Sequence, residues 1–199
     1  MRSPGRLNLV VDGAKVMATM KQANIKLTYH DYVQLTDDKR YELVEGELSL
    51  VPAPNLFHQT ILGKLWTSLH THAEANHLGK VCLAPCDVVL CEITVVQPDL
   101  LFVSSERRGI LTDANVQGAP DLVVEILSPS TGERDLGIKR NLYAKYGVRE
   151  YWIVDPDAKT VEMLSWSDAG YRTEGVVSQT CTLNSPLFPT LNLALTNIF

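Results

Sequence analysis

The chain has 199 residues, 45% hydrophobic and 21% charged, which is enough for one domain with a full core and a squeeze for two. A formal net charge of −5 argues against a protein that holds nucleic acid by bulk positive charge, while leaving room for a local basic groove. No apolar run approaches the roughly 18 to 20 residues needed to span a bilayer, and the N-terminus lacks a signal-peptide pattern. The expected protein is therefore soluble and cytoplasmic.

Residues 1–27 lack periodicity and read as a poorly ordered N-terminal arm, ahead of a single domain over residues 28–199. Thr28 is placed to cap a short helix through Tyr32, Val33 and Leu35. RYELVEGELSLVP reads as a hairpin, with Tyr41–Val44 and Leu48–Val51 flanking a turn at Glu45-Gly46. PAPN breaks that pattern, and Ile61, Leu62, Leu65 and Leu69 then recur at helical spacing in a helix from Leu56 to about Ala75. Strands follow in KVCLAP, CDVVLCEI, TVVQPDLLFVS and APDLVVEIL, with RRGILTDANVQG as a loop carrying at most one short strand. GERDLGIKRNLYAKYGV has helical spacing and stops at Gly147; REYWIVD, TVEMLSW and GYRTEGVV resume as strands before a short apolar tail. This order predicts an α/β or α+β domain with one mixed sheet flanked by helices. Pairing would be antiparallel through the strand-rich middle, with a parallel crossover from the Glu125 strand to REYWIVD.

Four cysteines, Cys82, Cys86, Cys91 and Cys181, show neither CxxC spacing nor a paired histidine cluster. They read as reduced thiols packed as small apolar groups rather than as a zinc site.

Three ionisable side chains stand where the pattern asks for apolar ones. Asp99 follows Pro98 at the head of an apolar run, where a simple Pro-Asp turn is the bland reading. Glu125 lies inside LVVEIL, a strand apolar on both alternating faces, where a salt bridge to a helix lysine or arginine is the alternative. At about 100° per residue, Leu136, Leu142, Tyr143 and Tyr146 all fall near Lys139, placing it in the apolar stripe of its helix unless it snorkels to the edge. Two carboxylates and a lysine at one end of a sheet form a chemical kit. The carboxylates can share a hard divalent cation such as Mg²⁺, and the lysine can orient a water or stabilise developing negative charge.

The order Pro98-Asp99, then Glu125-Ile126-Leu127, then a helix with a lysine resembles the PD-(D/E)XK nuclease superfamily. Within it the chain resembles the Uma-two-type family of putative restriction endonucleases, through YELVEGEL, PAPNLFHQ, VVQPDLLFV, GAPDLVVEILSPST and RDLGIKRNLYAKYGVREYWIVDP, over roughly residues 28–175. The resemblance implies a restriction-endonuclease-like core with Mg²⁺ or Mn²⁺ held by Asp99, Glu125 and the Ile126 carbonyl. Leu127 departs from the superfamily pattern, which places a lysine there; in the resembling family that lysine has moved to the next helix, which selects Lys139. Glu42 matches the family's early acidic residue and His58 a family histidine, implying catalytic support from both. For Glu42 the bland reading is an exposed hairpin residue, with Glu45 or Glu47 as the relevant acid instead; for His58 it is a local hydrogen bond at a helix end.

The expected function is thus a metal-dependent endonuclease hydrolysing phosphodiester bonds in DNA. A basic surface would be drawn from residues such as Arg107, Arg108, Arg134 and Arg140, and a homodimer is compatible with cutting both strands. Two other readings stay open: a catalytically silent module binding nucleic acid or protein, and a hydrolase of another phosphate ester.

Overall fold

The computed structural model describes residues 12–14, 16–17, 25–128 and 135–199. Most of the expected N-terminal arm, Arg134 and the Pro129-Ser130-Thr131 end of the GAPDLVVEILSPST stretch lie outside them. The chain divides into two compact units, Met1–Pro52 with Cys91–Val96, and Ala53–Leu90 with Gln97–Phe199.

In the first unit, helix α1 (Tyr29–Tyr32) opens on a capping box: Thr28 accepts from the Asp31 N–H, and Asp31 accepts from the Thr28 N–H at 2.9 Å. Strands β1 (Tyr41–Val44) and β2 (Glu47–Leu50) form the expected hairpin, with Tyr41 opposite Leu50 and Val44 opposite Glu47. The turn between them is of the primed kind that hairpins favour, since Glu45 and Gly46 both have positive φ, 50° and 85°. The later strand β5 (Thr94–Val96) adds antiparallel to β1, with Leu43 opposite Val95. Tyr41 donates to Asp37 at 2.8 Å, and burial together with that carboxylate pushes its hydroxyl up to about 12.

The second unit is built on a six-stranded sheet. Its strands are β3 (Gly79–Leu83), β6 (Leu100–Ser104), β8 (Leu122–Ile126), β9 (Glu150–Asp155), β10 (Thr160–Ser167) and β11 (Gly170–Ser178), in the spatial order β11-β10-β9-β8-β6-β3. The β8 and β9 pair is parallel and the other neighbours are antiparallel. All five residues of β8 are buried, as a near-continuous apolar run requires of a strand covered on both faces. Helix α2 (Leu56–Ala75) is capped by Asn55, which accepts from the His58 N–H at 2.8 Å. It packs Ile61, Leu65, Leu69 and Ala73 into the core with Leu100, Phe102, Val124 and Trp152. Separately, Val88 and Val89 of β4 (Val88–Cys91) pair in parallel with Val116 and Gln117 of β7 (Val116–Gln117).

Three sequence expectations change. TVVQPDLLFVS is not one strand: it breaks at Gln97-Pro98-Asp99 into β5 of the first unit and β6 of the second, since proline lacks the N–H a ladder needs. The apolar tail is a hairpin, β12 (Thr182–Ser185) with β13 (Phe188–Ala194), which sends Leu183, Phe188 and Leu193 into the core. The crossover helix is not α-helical throughout: Asp135–Lys139 form a π-helical turn before α3 (Arg140–Tyr146), and Gly147 ends it at φ 76°. The wider π turn alters the angular placement of its residues, so Leu136 is half exposed instead of lying in the stripe, while Lys139, Leu142 and Tyr143 are buried. Among the described residues no helix is long and apolar enough to cross a membrane.

Candidate active site

The antiparallel register of β6 and β8 places Leu100 opposite Val124 and Leu101 opposite Val123. One step further, Asp99 falls opposite Glu125. Proline at position 98 ends the strand just there, so the Asp99 side chain, rather than a backbone carbonyl, accepts the Ile126 N–H, at 2.8 Å through Oδ2. The N–H and C=O of one strand residue project to the same side, so the Ile126 carbonyl also points past the end of β6.

Two helices complete the cluster. From the first turn of α2, His58 brings Nε2 to 3.0 Å from Asp99 Oδ2. With Asp99 ionised the carboxylate only accepts, so Nε2 carries the proton. His58 is buried, and its Nδ1 has no hydrogen-bond partner among the described residues. From the π turn, Lys139 reaches Glu125 Oε1 with its Nζ at 2.8 Å, and one turn on, the Tyr143 hydroxyl donates to the same oxygen at 2.7 Å. Glu125 and Lys139 are only 3% and 6% exposed, so the ion pair is a buried one. It answers the question of how a carboxylate is tolerated in β8, but desolvation of two charges makes such a pair a poor stabiliser. The expected salt bridge and the expected functional lysine are one residue.

Asp99 differs from Glu125 in being open to solvent, with 20% of its side chain exposed. Both of its side-chain hydrogen bonds among the described residues use Oδ2. Among the described residues no group of three or more His, Cys, Asp and Glu side chains could hold a metal ion. The donors present are hard oxygens, two carboxylates and a carbonyl, which suits a Mg²⁺-like ion that keeps several of its waters.

The structure therefore brings Asp99, Glu125, Lys139 and His58 together in the second unit. Glu42 belongs to the first unit, on β1, where it is 2% exposed while Glu45 and Glu47 on the turn side are exposed, so it is the buried acid of the three. Sequence reasoning missed the Tyr143 hydroxyl, which it counted only as part of an apolar stripe; the available signal was its position four residues after Lys139. It also offered Arg107 and Arg108 for a basic surface. They lie in the turn Ser105–Ile110 that follows β6, the opposite end of that strand from Asp99.

The family model described as Uma2, putative restriction endonuclease, matches residues 28–196. Among solved structures, the chain is similar to one described as a putative nuclease belonging to DUF820 from Anabaena variabilis ATCC 29413. The likeness has a TM-score of 0.72 at 20% identity and covers 87% of this chain and 97% of that one, which shows a shared fold. No curated protein matches. A family match over nearly the whole described chain, on a nuclease fold, settles the grouping: the chain belongs to the Uma2 family of putative restriction endonucleases.

Proposed function

We propose that this nuclease-family protein is a metal-dependent endonuclease that hydrolyses phosphodiester bonds in DNA. The observation that carries the reading is the cluster of Asp99, Glu125 and Lys139 at one end of the sheet, with one carboxylate oxygen of Asp99 open. Mg²⁺ or Mn²⁺ would be held by Asp99, Glu125 and the Ile126 carbonyl, and would supply polarisation of the phosphoryl oxygen and acidification of a water. The side chains supply the rest. His58 and the Ile126 N–H fix Asp99 through Oδ2 and leave Oδ1 for the ligand. Tyr143 restrains Glu125, and the Lys139 ammonium is the positive group beside the carboxylates that can orient the attacking water and offset charge developing on the phosphate. The role implied for Glu42 rests on family resemblance and is tested by Glu42→Gln.

The experiment is plasmid nicking with Mg²⁺ or Mn²⁺, with and without EDTA. Nicking that stops with EDTA and in Glu125→Ala is the expected result. Absence of metal-dependent cleavage of both DNA and RNA, or full activity in Glu125→Ala, sinks the proposal.

One observation favours a catalytically silent module on the same fold: Glu125 Oε1 already accepts from both Lys139 and Tyr143. Calorimetry separates the two readings, since a silent module built on a closed ion pair takes up no Mn²⁺.

A further inference from the structure

Cys82, the fourth residue of β3, and Cys86, in the turn beyond it, are four positions apart, one residue wider than CxxC spacing. Folding brings them together nonetheless. Both are free and half-buried, and Cys86 Sγ lies 4.0 Å from the Asp87 carbonyl, leaving it free to act on Cys82. They sit on the wall of a cavity of about 490 Å³ in the second unit, along with Lys80, Asp87, Gln97 and Asn115. Lys80 and Cys82 are two apart on one strand and so share a face. Two free thiols on the wall of one cavity that can admit a small molecule are more than the inert packing their sequence suggests.

We propose that Cys82 and Cys86 form a reversible dithiol–disulfide site whose oxidant is a low-molecular-weight disulfide. The Cys82 thiolate attacks one sulfur of the small disulfide RSSR, forming a mixed disulfide and releasing RS⁻. Cys86 then gives up its proton, and its sulfur attacks Cys82 Sγ, closing the Cys82–Cys86 bond and expelling the second RS⁻. The protein loses two electrons and two protons, and RSSR becomes two RSH. The electrostatics support this division of labour. The hydrogen bond from Cys86, and then the Lys80 charge, lower the Cys82 thiol to about 7 against an opposing contribution from burial, close to the optimum for an attacking thiol. Cys86 is pushed up by its bond to Cys82, by burial and by the negative charges of Cys82 and Asp87, which suits the resolving partner. Asp113 is the remaining charged group on the cavity wall.

The test uses the full chain carrying Cys91→Ser and Cys181→Ser, which leaves only the two thiols, incubated with oxidised glutathione in the presence of a chelator. The expected result is loss of both thiols together, a mass lower by two hydrogens, and no persisting adduct. Cys86→Ser in that background should instead retain a glutathione adduct on Cys82. It should also react about fivefold more slowly at pH 7, as the thiolate fraction falls further than nucleophilicity rises, with its rate-against-pH midpoint moved upward. A stable adduct on the two-thiol protein, or one pH midpoint shared by both proteins, overturns the proposal. A circular-dichroism melt of each variant checks that the comparison is between folded chains.

Discussion

The two ends of β8 carry buried acids in opposite circumstances. At the start, Asp121 is fully buried, and both its oxygens are engaged: Oδ2 by the Ser104 N–H at 2.8 Å, Oδ1 by Arg107 at 3.1 Å and Arg149 at 3.3 Å. Two cations face one anion. At the other end, Glu125 is paired with Lys139, while Asp99, held through Oδ2 by His58 and the Ile126 N–H, stays partly open to solvent. A carboxylate that is saturated and sealed from water ties elements together; one that water can reach has capacity for a further cation. An ion pair alone does not separate the two cases, whereas solvent access to the carboxylate does.

The strongest way to break this comparison is to remove an acid at each end. Asp99→Ala and Glu125→Ala should each lower metal-dependent nicking by at least about a hundredfold, the scale of losing preorganised electrostatic stabilisation. Asp121→Asn should leave activity per folded molecule within about twofold of the parent. It should cost roughly 2–3 kcal/mol of stability, because the arginines lose a desolvated partner and the Ser104 N–H loses a charged acceptor. Denaturant melts beside the nicking assay decide it; an inactive but stable Asp121→Asn would mean the ends have been assigned the wrong way round.

Next in size is the ion pair itself. Lys139→Met removes the cation that pairs buried Glu125 and should cost about 3–5 kcal/mol, with loss of nicking. The double variant Glu125→Gln with Lys139→Met should regain much of that stability and none of the activity. A double variant no more stable than Lys139→Met would show that the lysine's contribution is not mainly the pairing of a buried charge. Smaller again is Tyr143→Phe, which removes one donor to a charged oxygen and should cost roughly 1.5–3 kcal/mol. Nicking should fall roughly tenfold or less, since Lys139 still holds Glu125.

These residues differ in how visible they are in the sequence, for physical reasons. Asp99, Glu125 and Lys139 break an apolar pattern, and a charge in such a place needs a partner, so periodicity alone exposes them. Tyr143 satisfies the apolar pattern with its ring and hides its hydroxyl. Asp121 has the same Pro-Asp signature as Asp99, and only the arrival of Arg107 and Arg149 from distant segments tells the two apart. The π turn is invisible because its residues keep helical spacing while its hydrogen bonds shift by one position. The parallel crossover from β8 to β9 is legible because the length of its connection constrains it, whereas the spatial order of the strands is not. The shared cavity wall of Cys82 and Cys86 is not legible either, because it depends on how the chain turns after β3.

The smallest effect sharpens the comparison from the structural side. Glu150, at the start of β9, donates its backbone N–H to the Asp121 carbonyl, while its buried carboxylate accepts from Trp152 Nε1 at 3.0 Å and from Ser185 Oγ at 2.8 Å. These donors, and the Leu187 N–H that also acts on it, are neutral. Burial therefore dominates and raises its pKa above the usual carboxylate value, with the hydrogen bonds opposing. For a group raised on folding, the native state binds the proton more tightly. Its contribution is fully present below the unfolded value near 4.5, and is lost as pH rises through the higher folded value. Glu150→Gln is neutral at every pH and keeps an amide oxygen for Trp152 or Ser185, so its melting temperature relative to the parent should climb as pH is raised from about 4.5 to 7. A parallel pair of melting curves over that range would mean that Glu150 is held by its donors as an ordinary carboxylate. In that case the structural end of the sheet tolerates an uncompensated charge, and the contrast between its two ends would rest on Asp121 alone.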